Sequence, residues 1–236
     1  MDQYTAQFAM IPRPLLIFLF AASPLLSWAG GTTYSAGETW GTVIDAESKQ
    51  PISGALVIAL WDLEGGSHRD VTGTFQVLEA VTAQDGSFRM PSWGPLPRPK
   101  RGVLDGYDPQ LLVIKNGYQI KRVFNPPEAA NRRAYLDVHN FAMNGTAIAM
   151  SRFQLAPQVY AMDIGSAVVG GILDDVLSGC AWKKIPKTVR YLVDEGKREK
   201  AAGLLPLRPV TVERLLAKNE CAPTDEFMKM YNNDGR

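Results

Sequence analysis

Two cysteines, two histidines and almost no net charge leave this chain of 236 residues poor in the side chains that build the commonest sites. The near balance of charge removes the basic footprint that nucleic-acid binding requires. His68 lies in a Gly-rich loop and His139 in YLDVHNF, and a histidine metal site would need both to converge with carboxylates such as Asp70 and Asp137. No ligand spacing supports that, and no metal or cofactor is expected. The GxSxG pattern of a nucleophile elbow is absent, and Gly165-Ser166 lacks its flanking glycines. Gly170-Gly171 continues into neither GxGxxG nor a Walker motif, so no phosphate cradle is expected. Asp174 and Asp175 are sequence neighbours, which in a helix point to different faces, and they read as a solvated surface. No period of 20 to 50 residues repeats, which excludes solenoids and propellers.

Long apolar runs are also scarce. The one near the amino terminus, Leu15 to Trp28, is fourteen residues, whereas a helical membrane span needs ~20. It follows Arg13 and closes on Ser27-Trp28-Ala29, with small residues at the two positions a signal peptidase reads. Residues 1–29 are therefore expected to be a cleaved export signal, with translation starting at Met1 or at Met10. Without Asp2 and Arg13 the mature chain keeps 24 bases and 23 acids. It is expected to be periplasmic or extracellular, with no membrane span after cleavage. In an oxidising compartment Cys180 and Cys221 are expected to pair. Closing the 40 intervening residues would be worth roughly 4 kcal/mol in the chain-entropy model. A reactive thiol pair is the alternative, without CxxC spacing to support it.

What the chain does have is strand patterning. From Gly41, GTVIDA alternates apolar and polar residues, ESKQPISGA turns the chain, and LVIALW is a continuous apolar run suited to a buried strand. FQVLEAVTA and SFRMPSW flank Gln84-Asp85-Gly86, a strong hairpin signal. Gly94 to Pro109 is rich in proline and base and reads as a surface loop, since prolines 95, 97, 99 and 109 cannot donate to a ladder. QLLVIKNGYQIKRVF reads as a hairpin with a type I′ turn at Asn116-Gly117. Residues 125–144 read as mostly irregular, and TAIAMSRFQLAP as a closing strand.

From about Ala161 the spacing becomes helical. Val168, Ile172 and Val176 recur every four residues before Gly179. Pro186 opens a second helix carrying Val189, Leu192 and Val193 and ending at Gly203. Thr211 and Thr224 could cap two more. The predicted architecture is mainly β: a sandwich of about seven strands over 30–160, then a small helical region over 161–236 stapled by Cys180–Cys221.

GTVIDAESKQPISGALV followed by TAQDGSFRMPSW resembles the carboxypeptidase regulatory-like domain, a transthyretin-like β-sandwich. The resemblance rests on Gly41, Val43, Asp45, Pro51-Ile52, Gly54-Ala55, Val57, Thr82, Asp85, Gly86 and Phe88. It implies that Val43, Val57 and Phe88 face the inter-sheet core, and that the chain is an accessory or binding module with no catalytic residue to carry over. It spans Gly41 to Trp93, and more loosely reaches Pro157. The expected function is non-catalytic binding to a protein or cell-envelope component. The alternative is glycan binding by exposed tryptophans. Candidate contacts are Trp40 and Trp93 on the sandwich, and Arg98, Lys100, Arg101 and Tyr107 in the proline-rich loop.

Overall fold

The computed structural model describes residues 33–65, 70–104, 107–126, 137–204 and Cys221. The expected signal 1–29, His68, and the helices expected after Thr211 and Thr224 lie outside the described residues. The strands are β1 (Thr33–Ala36), β2 (Thr39–Asp45), β3 (Leu56–Gly65), β4 (Asp70–Val81), β5 (Ser87–Met90), β6 (Trp93–Pro97), β7 (Val103–Leu104), β8 (Gln110–Ile114), β9 (Lys121–Val123) and β10 (Ala147–Met150). This is three more than the seven expected: β1, and the β6 and β7 that the proline-rich stretch contributes.

One sheet runs β4-β3-β8-β9, with β7 also on β3; a second runs β10-β2-β5; β1 and β6 form a two-stranded ribbon. LVIALW opens β3 and alternates between two cores. Val57, Ala59 and Trp61 enter the inter-sheet core with Val43, Phe88, Met90 and Trp93. Leu56, Ile58 and Leu60 face the other way, beneath the helices, with Leu112, Ile114, Val168, Val176 and Trp182. A strand covered on both faces needs apolar residues at every position, hence a continuous run in place of alternation. Val43, Val57 and Phe88 share one core as expected.

Three local expectations are corrected. The Asp85-Gly86 turn forms, with the Gly86 N–H on the Ala83 carbonyl at 3.0 Å. However, β4 pairs with β3 while β5 pairs with β2, so the turn carries the chain between sheets instead of closing a two-stranded hairpin. The Val43 N–H takes the Gly86 carbonyl at 2.8 Å and draws the outgoing strand onto β2. At Asn116-Gly117 only Gly117 has positive φ (82°), so the turn is not type I′, which needs two such residues. The tip leans aside to pair with 151–153, where the Phe153 N–H meets the Gly117 carbonyl at 2.9 Å. Finally, Trp93–Pro97 is strand, not loop. It runs antiparallel to β1 at the edge of a two-stranded ribbon, a position where proline is tolerated.

The helical layer comprises α1 (Pro157–Met162), a π-helical segment (Asp163–Ile172), α2 (Asp174–Ser178), a 3-10 turn (Ala181–Lys184) and α3 (Pro186–Ala201). It begins four residues before the expected Ala161, with Pro157 in the first turn. The Leu173 N–H reaches the Val168 carbonyl, five residues back, at 2.8 Å. Ile185 offers α3 no side-chain cap. Instead Glu79 of β4 accepts the Lys187 N–H, the Thr188 N–H and the Thr188 hydroxyl, each at 2.8 Å, pinning the helix start to the sheet. Gly203, at φ 70°, ends the helix as expected. Cys180 and Cys221 are disulfide-bonded.

Candidate functional site: a cleft at the sheet–helix junction

The apolar stripe on the helix-facing side of β3 stops at Asp62, where a register shift after Trp61 sets Asp62 opposite Thr74. The Asp62 carboxylate accepts the Thr74 hydroxyl at 2.9 Å and the Gln110 amide at 2.5 Å, and the Gln110 oxygen takes an Arg122 N–H at 2.8 Å. Burial pushes the Asp62 carboxyl above its ordinary range against those two hydrogen bonds, and the nearby charge of Asp175 adds to the rise. Beyond this network the helices and the sheet separate into an open cleft of about 780 Å³.

Its sheet wall carries Asp62, Gln110 and Arg122; its helix wall carries Asp163, Asp174 and Asp175. Four carboxylates thus face one guanidinium, and the floor is net acidic. Val71 and Leu155, 58% and 62% exposed, stand at the rim. Asp174 and Asp175 line the same cleft, where sequence reasoning placed them on separate solvated faces. The reason is that α2 is short and begins at the mouth, so both sides of its first turn border the opening. Sequence reasoning missed Asp62, Asp163 and Arg122 altogether. Among the described residues no cluster of three or more His, Cys, Asp or Glu is arranged to hold a metal ion.

The six candidate contacts do not form one site. Trp40 is 41% exposed on β2, in a separate hollow of about 430 Å³ shared with Thr42, Arg89 and Gly145. The Arg89 guanidinium lies 5.7 Å from its ring centre and pairs with Glu38. Trp93 is corrected as a contact: it is 8% exposed, packed edge-on against Trp61 at 5.3 Å, because β6 folds it into the inter-sheet core. Arg98 stacks 4.4 Å over Tyr34 and pairs with Asp137 at 2.6 Å, so it clamps the ribbon. Lys100 and Arg101 are exposed, and Tyr107 is 38% exposed. His139 is fully buried, edge-on to Tyr34 at 5.2 Å, and its carbonyl accepts the Trp61 indole N–H at 3.1 Å. Trp182 is in the helix–sheet core, fully buried.

No family model and no curated protein matches the sequence. Solved structures of low similarity include the 3-chlorocatechol 1,2-dioxygenase of Rhodococcus opacus 1CP, at 13% identity over 51% of this chain and 60% of that one, TM-score 0.28. Another is the dioxygenase domain of a dioxygenase and carbohydrate-binding protein fusion from Streptomyces sp. SirexAA-E, at 17% identity over 56% and 86%, TM-score 0.28. A third is the group B streptococcus pilus 2b backbone protein, at 17% identity over 50% and 41%, TM-score 0.24. Likeness at this level carries no functional argument.

Proposed function

We propose that this chain is an exported, non-catalytic binding module of the carboxypeptidase regulatory-like, transthyretin-like kind, which contacts a protein or another cell-envelope component. The observation that carries the reading is the open cleft of about 780 Å³, with Asp62, Asp163, Asp174 and Asp175 set against Arg122 beneath an apolar rim. An acidic floor under exposed Val71 and Leu155 complements a partner segment that presents a basic side chain among apolar ones. The family assignment is supported by Gly54 and Gly86 at φ 68° and 74°, and by Val43, Val57 and Phe88 in one core. The disulfide supports residence in an oxidising compartment. The test is retention of mature protein on envelope fractions of the native host. Asp174→Lys together with Asp175→Lys is expected to release it at least tenfold more readily. Equal retention overturns the reading.

A second reading, glycan binding, is favoured by Trp40, whose partly exposed ring shares a hollow with Arg89, itself paired with Glu38. It predicts an oligosaccharide-dependent change in tryptophan fluorescence that Trp40→Ala removes.

A further inference from the structure

Glu195 and Glu199 stand one turn apart on α3, 7% and 8% exposed. Glu195 is engaged by Arg198. Glu199 differs: its Oε1 is shielded from solvent and has no hydrogen-bond partner among the described residues. It borders a pocket of about 320 Å³ that adjoins the cleft, sharing Phe153 and Leu155 with it, and is also walled by Pro157, Ala161 and Leu204. The charged and titratable groups around it are Glu195, Arg198 and Tyr191 on α3, and Tyr160 on α1. Asn116 and Gly117 approach from the β8–β9 tip without charge. The two tyrosine hydroxyls bond each other at 2.9 Å. Burial, with the charge of Glu195, pushes the Glu199 carboxyl up to about 7.

A buried carboxylate without a donor can take up a proton or accept a cation from outside. A hard metal ion fits poorly, since it needs several oxygen ligands and Glu195 is already paired. A cation on a hydrocarbon stem fits better, because much of the wall is apolar and Glu199 brings to it a carboxylate whose Oε1 has no hydrogen-bond partner among the described residues. We propose that this pocket binds an alkylammonium group, with the charge against Glu199 and the methylenes along Phe153 and Leu155. The chemistry is shared by a free aliphatic amine and by a lysine side chain.

The test uses the mature protein and calorimetric titration with pentylamine, and with 1-pentanol as an uncharged isostere. Pentylamine is expected to bind at pH 8 and about tenfold more weakly at pH 6, where most Glu199 carries a proton, whereas 1-pentanol is indifferent to pH. Glu199→Gln is expected to abolish the preference for the amine while leaving 1-pentanol binding unchanged, which also reports that the pocket is intact. If that variant fails to fold, the pH dependence in the wild type decides. Pentylamine binding no tighter than 1-pentanol at pH 8, or with equal affinity at pH 6 and 8, overturns the proposal. Nα-acetyl-lysine methylamide separates the sources: tighter binding than pentylamine assigns a lysine side chain, and weaker binding assigns a free amine.

Discussion

Replacing Glu199 by Gln is expected to change how stability depends on pH, in a direction fixed by the burial of this carboxyl. Its ordinary value of 4.5 is raised to about 7 in the folded chain. Below 4.5 both the folded and unfolded states hold the proton, and the group's stabilising contribution is complete. Between 4.5 and about 7 the unfolded chain releases the proton while the folded chain keeps it, so wild-type stability falls as pH rises through this window and levels off above it. A gap of that size is worth on the order of 3 kcal/mol at 1.36 kcal/mol per pH unit. Gln resembles the protonated acid, with one donor group and one acceptor, and does not titrate. Urea unfolding at pH 4.5, 6 and 8 is therefore expected to show the variant gaining on the wild type by on the order of 3 kcal/mol across the series. Groups that do not interact with Glu199 titrate alike in both proteins and cancel in the comparison. A difference that stays constant from pH 4.5 to 8 refutes the reasoning.

Glu79→Ala leaves the Lys187 and Thr188 amides at the start of α3 without their acceptor and is expected to cost about 2 kcal/mol in urea unfolding; a loss below about 0.5 kcal/mol contradicts the cross-element cap. Cys180→Ser opens a closure of sequence separation 41 worth roughly 4 kcal/mol. Because α2 and α3 share a core with β3 and β8, calorimetry is expected to show one transition at a lower temperature, and two resolved transitions would mean that the helices fold apart from the sheet. Gly145 sits at φ 80°, and a Cβ there would lie 2.6 Å from the Trp40 ring. Gly145→Ala is expected to displace Trp40 and shift its emission, and an unchanged spectrum would contradict that packing.

Signals carried by a few adjacent residues were legible before the fold was known. LVIALW announced a buried strand, Pro186 and Gly203 bounded a helix, and the lone cysteine pair implied its disulfide. What a turn joins was not legible. Asp85-Gly86 specifies a reversal of the chain, but whether the next strand pairs backward or crosses to another sheet depends on β2, some forty residues earlier. The cleft was hidden for a similar reason: Asp62 enters it only because a register shift interrupts β3, and its partners come from β4, β8 and β9. Glu199 left a trace that was overlooked. Ile185, Thr188, Leu192, Glu195 and Glu199 follow spacings of three and four along the buried stripe of α3, so both acids sit where an apolar residue belongs.

The most direct test of the binding role is photo-crosslinking in the native host. A benzophenone amino acid would replace Leu155 at the cleft rim and, in a second strain, Trp40 on the other side chain hollow. The account predicts a discrete adduct from position 155, absent from position 40 and lost when Asp174 and Asp175 are both changed to Lys. Adducts formed equally from both positions, or from position 155 regardless of those two charges, would contradict it.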